Sequence, residues 1–196
     1  GIFGMEKTFK QINSGCIKLV LFGPESTGKS TLSIDLAKYY NTVYVPEYAR
    51  EYLQKKWDQK KGVCSKEDLL PIALGQIEYE NRLVKEAKNL LICDTDLIQT
   101  VVYSKVYYDG YCNPKIQQSA IENSYDLYFL CSIDVPWMAD DLRDKPNERE
   151  FMFSAFKVEL EKLNRPFVIL EGSHDKRMQQ AIKCIDQLLI EKKSNK

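Results

Sequence analysis

Net charge is the first thing this sequence lacks. Lysine plus arginine and aspartate plus glutamate both number 28 in 196 residues, so the formal charge is zero. A chain so balanced has no general pull toward nucleic acid or an anionic membrane surface, and any affinity for anions has to be local. Long apolar runs are missing, and so is a secretory signal pattern, which leaves no segment to read as a membrane span. Histidine is nearly absent. His174 is the only one, and near a helix start it reads as a surface or capping residue rather than a catalytic one. The six cysteines (Cys16, Cys64, Cys93, Cys112, Cys131 and Cys184) never fall at C-x-x-C spacing. That argues against a metal cluster or a disulfide framework. Cys93 and Cys131 lie in apolar runs, where cysteine is a small hydrophobe, and a reducing compartment, the cytoplasm, is expected. No repeat or linker divides the chain. One domain over residues 1–196 is expected, large enough for a proper core, with Gly1 to Gly4 ahead of Met5 read as a remnant preceding the native start.

What is present is organised around Gly23-Pro24-Glu25-Ser26-Thr27-Gly28-Lys29-Ser30. This segment fits the phosphate-binding loop pattern G-x-x-x-x-G-K-[ST] at every fixed position. The apolar run Ile17 to Phe22 precedes it as a buried strand. A helix from Thr31 follows, with Leu32, Leu36, Ala37 and Tyr40 on one face. Gly23 and Gly28 permit backbone angles that let successive amides face one anion, and the helix N-terminus adds its positive end. Lys29 suits the β- and γ-phosphates, and Ser30 offers a hydroxyl to Mg²⁺. The loop residues Gly23 and Glu25 through Thr31 are therefore the expected ATP-binding set.

Further along, Thr42 to Val45 reads as a second strand. Pro46 then suits the first turn of a helix running to about Trp57. Ligands sit at the carboxyl ends of strands in doubly wound sheets, so Glu47 becomes a candidate base and Arg50 a candidate anion clamp. Ser65-Lys66-Glu67-Asp68 has capping-box spacing. A helix follows, kinked or restarted at Pro71, with a stripe of Ile72, Tyr79, Leu83 and Ala87. Asn89 to Asp94 is a third strand ending on an acid, the Walker B arrangement that presents Asp94 to Mg²⁺; the alternative for Asp94 is a helix N-cap.

A helix from Leu97 to Tyr108 carries Tyr103, Tyr107 and Tyr108, read with Tyr111 as core or rim packing rather than base-stacking groups. Asn113-Pro114 opens the next helix, and Asp126 to Ser132 is a fourth strand. Residues 137–150 are strongly charged and follow a strand end, where a lid is expected. Arg143 and Arg149 are candidates to reach the phosphates from it. An amphipathic helix through Phe153, Phe156, Leu160 and Leu163, a strand Phe167 to Leu170, and a helix capped by Ser173 complete the chain, with Glu191 to Lys196 as a polar tail. Strands alternating with helices predict an α/β fold: a parallel sheet covered on both faces.

Taken together these motifs resemble the ribosylnicotinamide kinase domain of NadR-type proteins. The residues carrying the likeness are the loop through Leu32, Glu47-Tyr48-Ala49-Arg50-Glu51-Tyr52, Ile72-Ala73-Leu74-Gly75, Asp94-Thr95-Asp96 with Thr100, and Trp137, Asp140, Leu142-Arg143 and Arg149. The likeness runs from about Ile17 to Leu189. It departs at the lid, where Ala139 stands for an acid and Asp141 for glycine, and nothing resembles the adenylyltransferase or DNA-binding parts of those proteins. The resemblance implies a P-loop, adenylate-kinase-like three-layer fold with strand order 2-3-1-4-5. It also implies a stand-alone enzyme that phosphorylates the ribose 5′-hydroxyl of ribosylnicotinamide with ATP and Mg²⁺. Under it Lys29, Arg143 and Arg149 serve the phosphates, and Ser30 and Asp94 the metal. Glu47 is the first choice to orient or deprotonate the hydroxyl, with Asp96 second. Trp137 or Tyr48 is expected to stack on the pyridinium, with Asp140 near its charge and Arg50 beside the substrate. The rival readings are another nucleoside or nucleotide kinase, and a regulatory ATPase. The guanine-reading N-K-x-D and D-x-x-G motifs are both absent, and an AAA-type motor would be expected to carry a further helical domain. The partner expected is a small nucleoside, with neither nucleic acid nor membrane; the sequence says nothing of oligomeric state.

Overall fold

The computed structural model describes residues 10–134 and 146–195. Five parallel strands form one sheet: β1 (Ile17–Phe22), β2 (Tyr44–Val45), β3 (Leu90–Asp94), β4 (Leu127–Cys131) and β5 (Phe167–Leu170), in the order β2-β3-β1-β4-β5. That is the order the family resemblance implied. β1 and β3 are buried throughout, as the continuous apolar runs of a sheet covered on both faces require. Seven helices, α1 (Lys29–Tyr39), α2 (Tyr48–Lys60), α3 (Leu69–Leu83), α4 (Leu97–Tyr107), α5 (Pro114–Glu122), α6 (Pro146–Lys162) and α7 (His174–Ser194), are among the described residues.

Alternation along the strands divides the core into two layers. Leu19, Leu21, Ile92, Phe129 and Leu170 face α1 and α7, packing with Leu32, Leu36, Ala181 and Ile185. Val20, Phe22, Leu91, Cys93, Tyr128 and Leu130 face the other way, toward α3, α4, α5 and α6. Register brings Leu21 beside Asp94 and Phe22 beside Leu130. The loop leaving β1 thus emerges between the ends of β3 and β4, where the strand order reverses and a crevice opens.

Several local readings change. Pro46 lies outside α2, because Glu47 takes the N-cap position and the helix begins at Tyr48. Gln76 secures that entry, accepting from the Tyr48 amide at 2.9 Å and donating to the Pro46 carbonyl at 3.2 Å. Pro71 neither kinks nor restarts α3; it is the third helical residue, where its missing N–H has no partner to lose. Glu80 joins the buried stripe of α3, because Lys18 Nζ of β1 lies 3.0 Å from its carboxylate. Ala87 falls beyond the helix. Residues Glu191 to Ser194, read as a tail, extend α7. The capping box at Ser65 and Asp68 and the Asn113 and Ser173 N-caps all form.

Candidate active site

The loop between β1 and α1 is held open by its own geometry. Gly23 and Gly28 have φ of 130° and 84°, and Ser26 sits at 61° in the left-handed region. A Cβ on Gly23 would stand 3.1 Å from the Cys131 carbonyl, so glycine is required there by space as well as by angle. The loop's carbonyls are pinned by side chains from within the loop and from α6. Lys29 Nζ donates to those of Gly23 and Pro24 at 2.9 and 2.7 Å, the Thr27 hydroxyl donates to Pro24, and Arg149 Nη2 reaches the Ser26 carbonyl at 3.3 Å. Arg149 is buried in the first turn of α6. Residues 146–150 of the expected lid are therefore helix, and this arginine touches the phosphate loop. Trp137, Asp140 and Arg143 lie outside the described residues.

Ser30 and Asp94 meet at the loop's other end. The serine hydroxyl donates to Asp94 Oδ2 at 2.7 Å, while Asp94 Oδ1 is buried without a hydrogen-bond partner. Burial raises the Asp94 carboxyl above its ordinary value, against the pull of Lys29 and Ser30. No cluster of three or more His, Cys, Asp or Glu ligands lies among the described residues. One free acid oxygen and one hydroxyl suit Mg²⁺, which keeps water and phosphate oxygens for its remaining positions.

Glu47 faces the same crevice. The residue as a whole is half-buried, but its Oε2 is shielded from solvent and unpartnered, and its side chain takes no part in capping α2. Desolvation, reinforced by the nearby Glu25 carboxylate, raises its carboxyl from 4.5 to about 8 despite Lys29 and Arg50. The Arg50 guanidinium is half-exposed and lies 3.9 Å from Glu25.

Beside these groups opens a cavity of about 430 Å³, lined at the loop end by Glu25, Glu47, Thr95 and Gln99 and farther out by Leu53, Tyr103, Tyr107 and Tyr108. The three tyrosines, expected as core or rim packing, line this cavity as a wall. Tyr103 both packs on Phe156 and stacks on Tyr107, with centroids 5.7 Å apart. Periodicity placed them on a helix but not beside the phosphate loop, and nothing local in the sequence marks the difference. Gln99 was missed altogether. Its Oε1 accepts from the Gly23 amide at 3.3 Å while its buried Nε2 has no partner.

Two of the expected substrate residues are used otherwise. Asp96, not Asp94, is the N-cap of α4, accepting from the Ile98 and Gln99 amides, and it also accepts from the Tyr128 hydroxyl. Burial raises it to about 7, but its oxygens are engaged inside the fold. The Tyr48 ring packs over Gly75 and against Tyr79, at a centroid distance of 5.1 Å, and does not line the cavity.

A family model described as an AAA domain, AAA_28, matches residues 18–177. The chain belongs to this family of P-loop domains. The chain is 30% identical over 176 residues to the trifunctional NAD biosynthesis/regulator protein NadR of Salmonella typhimurium (strain LT2), covering 88% of this chain and 43% of that protein. It thus spans less than half the length of that curated relative. The resemblance to NadR-type proteins drawn from the motifs therefore holds as similarity along most of the chain. A solved NadR structure in complex with NR shares the fold at TM-score 0.70 and 23% identity, over 88% of this chain and 51% of that one. Thymidylate kinase from Ehrlichia chaffeensis shares it at TM-score 0.62 and 18% identity, over 88% of this chain and all of that one.

Proposed function

We propose that this AAA_28 domain is an ATP-dependent small-molecule kinase that transfers the γ-phosphoryl group to the ribose 5′-hydroxyl of ribosylnicotinamide, giving nicotinamide mononucleotide. The observation that carries the reading is the chemistry of the cavity beside the phosphate loop. Among the described residues lining it there are two acidic side chains, Glu25 and Glu47, three tyrosines and no lysine or arginine. Such a wall disfavours an acceptor that already bears a phosphate, and it suits a cationic or neutral alcohol with an aromatic base. The similarity to NadR adds the identity of the base.

In this reading the loop amides and Lys29 hold the phosphates. Arg149 is assigned to the phosphates with them, and Arg143 and Trp137 of the lid to the phosphates and the pyridinium as the resemblance implies. Glu47 orients the acceptor hydroxyl and accepts its proton. Gln99 Nε2 is the free donor for the acceptor sugar. Mg²⁺, held through Ser30 and Asp94, would offset charge on the transferring group. Catalysis is mainly alignment and charge stabilisation, since a primary alcohol is a weak nucleophile.

The test is an acceptor panel. Purified chain receives ATP, Mg²⁺ and one nucleoside at a time, and ADP release is followed. Turnover that requires ribosylnicotinamide supports the proposal. Turnover with thymidine or a nucleoside monophosphate in its place overturns the acceptor. Slow release that no acceptor stimulates points to a regulatory ATPase.

A further inference from the structure

Arg177, the fourth residue of α7, is 2% exposed, among the largest side chains so buried. Sequence reading passed over it, and the roles assigned so far do not use it. Its guanidinium joins separate parts of the crevice. Nη1 donates to the Thr27 carbonyl at 3.0 Å, Nε to the Gly172 carbonyl at 3.0 Å, and Nη2 to the Ser132 carbonyl at 3.1 Å. The Asp134 carboxylate, three residues beyond β4, is its counter-ion. A buried guanidinium is costly unless its donors are matched, and where only stability is at stake apolar side chains of like volume often serve as well. Here the planar fork delivers several directed bonds that no apolar side chain provides.

One of those bonds acts on the phosphate loop. The peptide linking Thr27 to Gly28 is trans, as are all the described peptide bonds. In a planar trans peptide the C=O and the following N–H point to opposite sides. A carbonyl fixed on Arg177 therefore turns the Gly28 amide the other way, away from the guanidinium. Arg149 does the same one peptide earlier, through Ser26. A charged donor on the carbonyl also polarises the peptide and strengthens its N–H as a donor.

We propose that Arg177 is a positioning residue for phosphate binding: it aims the Gly28 amide at the polyphosphate tail and locks that loop to the turn at Gly172. This rests on the nucleotide-binding part of the function proposed above and is independent of the acceptor.

Calorimetric titration with AMP-PNP and with AMP, each with Mg²⁺, separates the role from a merely structural one. AMP shares base, ribose and first phosphate but lacks the tail. Arg177→Lys keeps the charge and loses the fork; it is expected to weaken AMP-PNP about tenfold, the loss of one charged hydrogen bond, and to leave AMP nearly unchanged. Arg177→Met is expected to lose more, with partial recovery in millimolar guanidinium. Thermal melts accompany each variant, and should the Met variant not fold, the Lys variant decides. Arg177→Lys binding AMP-PNP like wild type, or weakening AMP and AMP-PNP alike, overturns the proposal. A wild-type chain that binds no AMP-PNP overturns nucleotide binding itself, and the role of Arg177 with it.

Discussion

Ser30 and Asp94, 64 positions apart in the chain, share a hydrogen bond of 2.7 Å that joins the first turn of α1 to the end of β3. Parallel pairing of Leu21 with Asp94 makes the meeting unavoidable once β1 and β3 are neighbours. The other oxygen of that carboxylate, Oδ1, is buried without a hydrogen-bond partner.

Asp94→Asn follows from that pairing. The amide keeps the shape and can still accept from Ser30, but it removes the charge that a hydrated Mg²⁺ would face. Turnover is expected to fall about a hundredfold, the size of losing one fixed electrostatic partner in an active site. The Mg²⁺ concentration for half-maximal rate should rise. The melting temperature should hold or increase, because a buried carboxylate whose ionised form is disfavoured has been removed. Near-normal turnover would exclude the metal role.

Glu47 makes the pH prediction. Its folded-state value of about 8 lies above the 4.5 of the free side chain. The stability this group contributes is therefore full below about pH 4.5 and is lost as pH rises through 8. Wild type should melt progressively lower across that window, and Glu47→Gln should flatten that part of the profile. Activity runs the other way, since a base must be ionised: kcat/KM for the acceptor should climb up to about pH 8 and then level. The Gln variant should lose that limb together with most of its rate. A wild-type profile flat from pH 6 to 9 would remove Glu47 from the base role.

How much of this the chain displays before folding depends on where the information lies. The phosphate loop is local: eight consecutive residues state its geometry, so it could be read outright. The sheet order came through the family likeness alone. The acceptor wall is not local. Tyr103, Tyr107 and Leu53 belong to helices that meet only through tertiary packing, and helical spacing cannot tell a wall residue from a core residue. Asp94 and Asp96 show the same limit. Both follow an apolar run, and only the left-handed turn at Thr95, φ 72°, decides which faces the loop and which caps α4. Arg177 has no local signal, because its acceptors come from three other segments.

Gly75 tests the reassignment of Tyr48. A Cβ there would stand 2.0 Å from the Tyr48 ring, with no room between α2 and α3. Gly75→Ala is expected to destabilise the fold by about 1–3 kcal/mol, the usual cost of overpacking. Because α2 carries Glu47 at its N-cap, kcat should drop with it. Gly75→Ala in a Tyr48→Ala background should recover much of the added loss, since the clashing ring is gone; simple additivity of the two would show that they do not compete for the same space.

Tyr107 completes the contrast with Tyr48. It lines the cavity while remaining 47% exposed, stacked on Tyr103 with the rings 13° from parallel. Truncating so exposed a ring leaves a small cavity at most, so Tyr107→Ala should change the melting temperature little. It should raise KM for the acceptor several-fold, since an aromatic face attracts a cation by about 0.5–2 kcal/mol. KM for ATP should stay fixed, because the ring lies on the acceptor side of the loop. Tyr48→Ala should reverse the pattern, with a large fall in melting temperature, while the folded fraction keeps its acceptor KM. Should Tyr48→Ala raise acceptor KM without loss of stability, and Tyr107→Ala leave it untouched, the acceptor wall lies along α2 rather than α4.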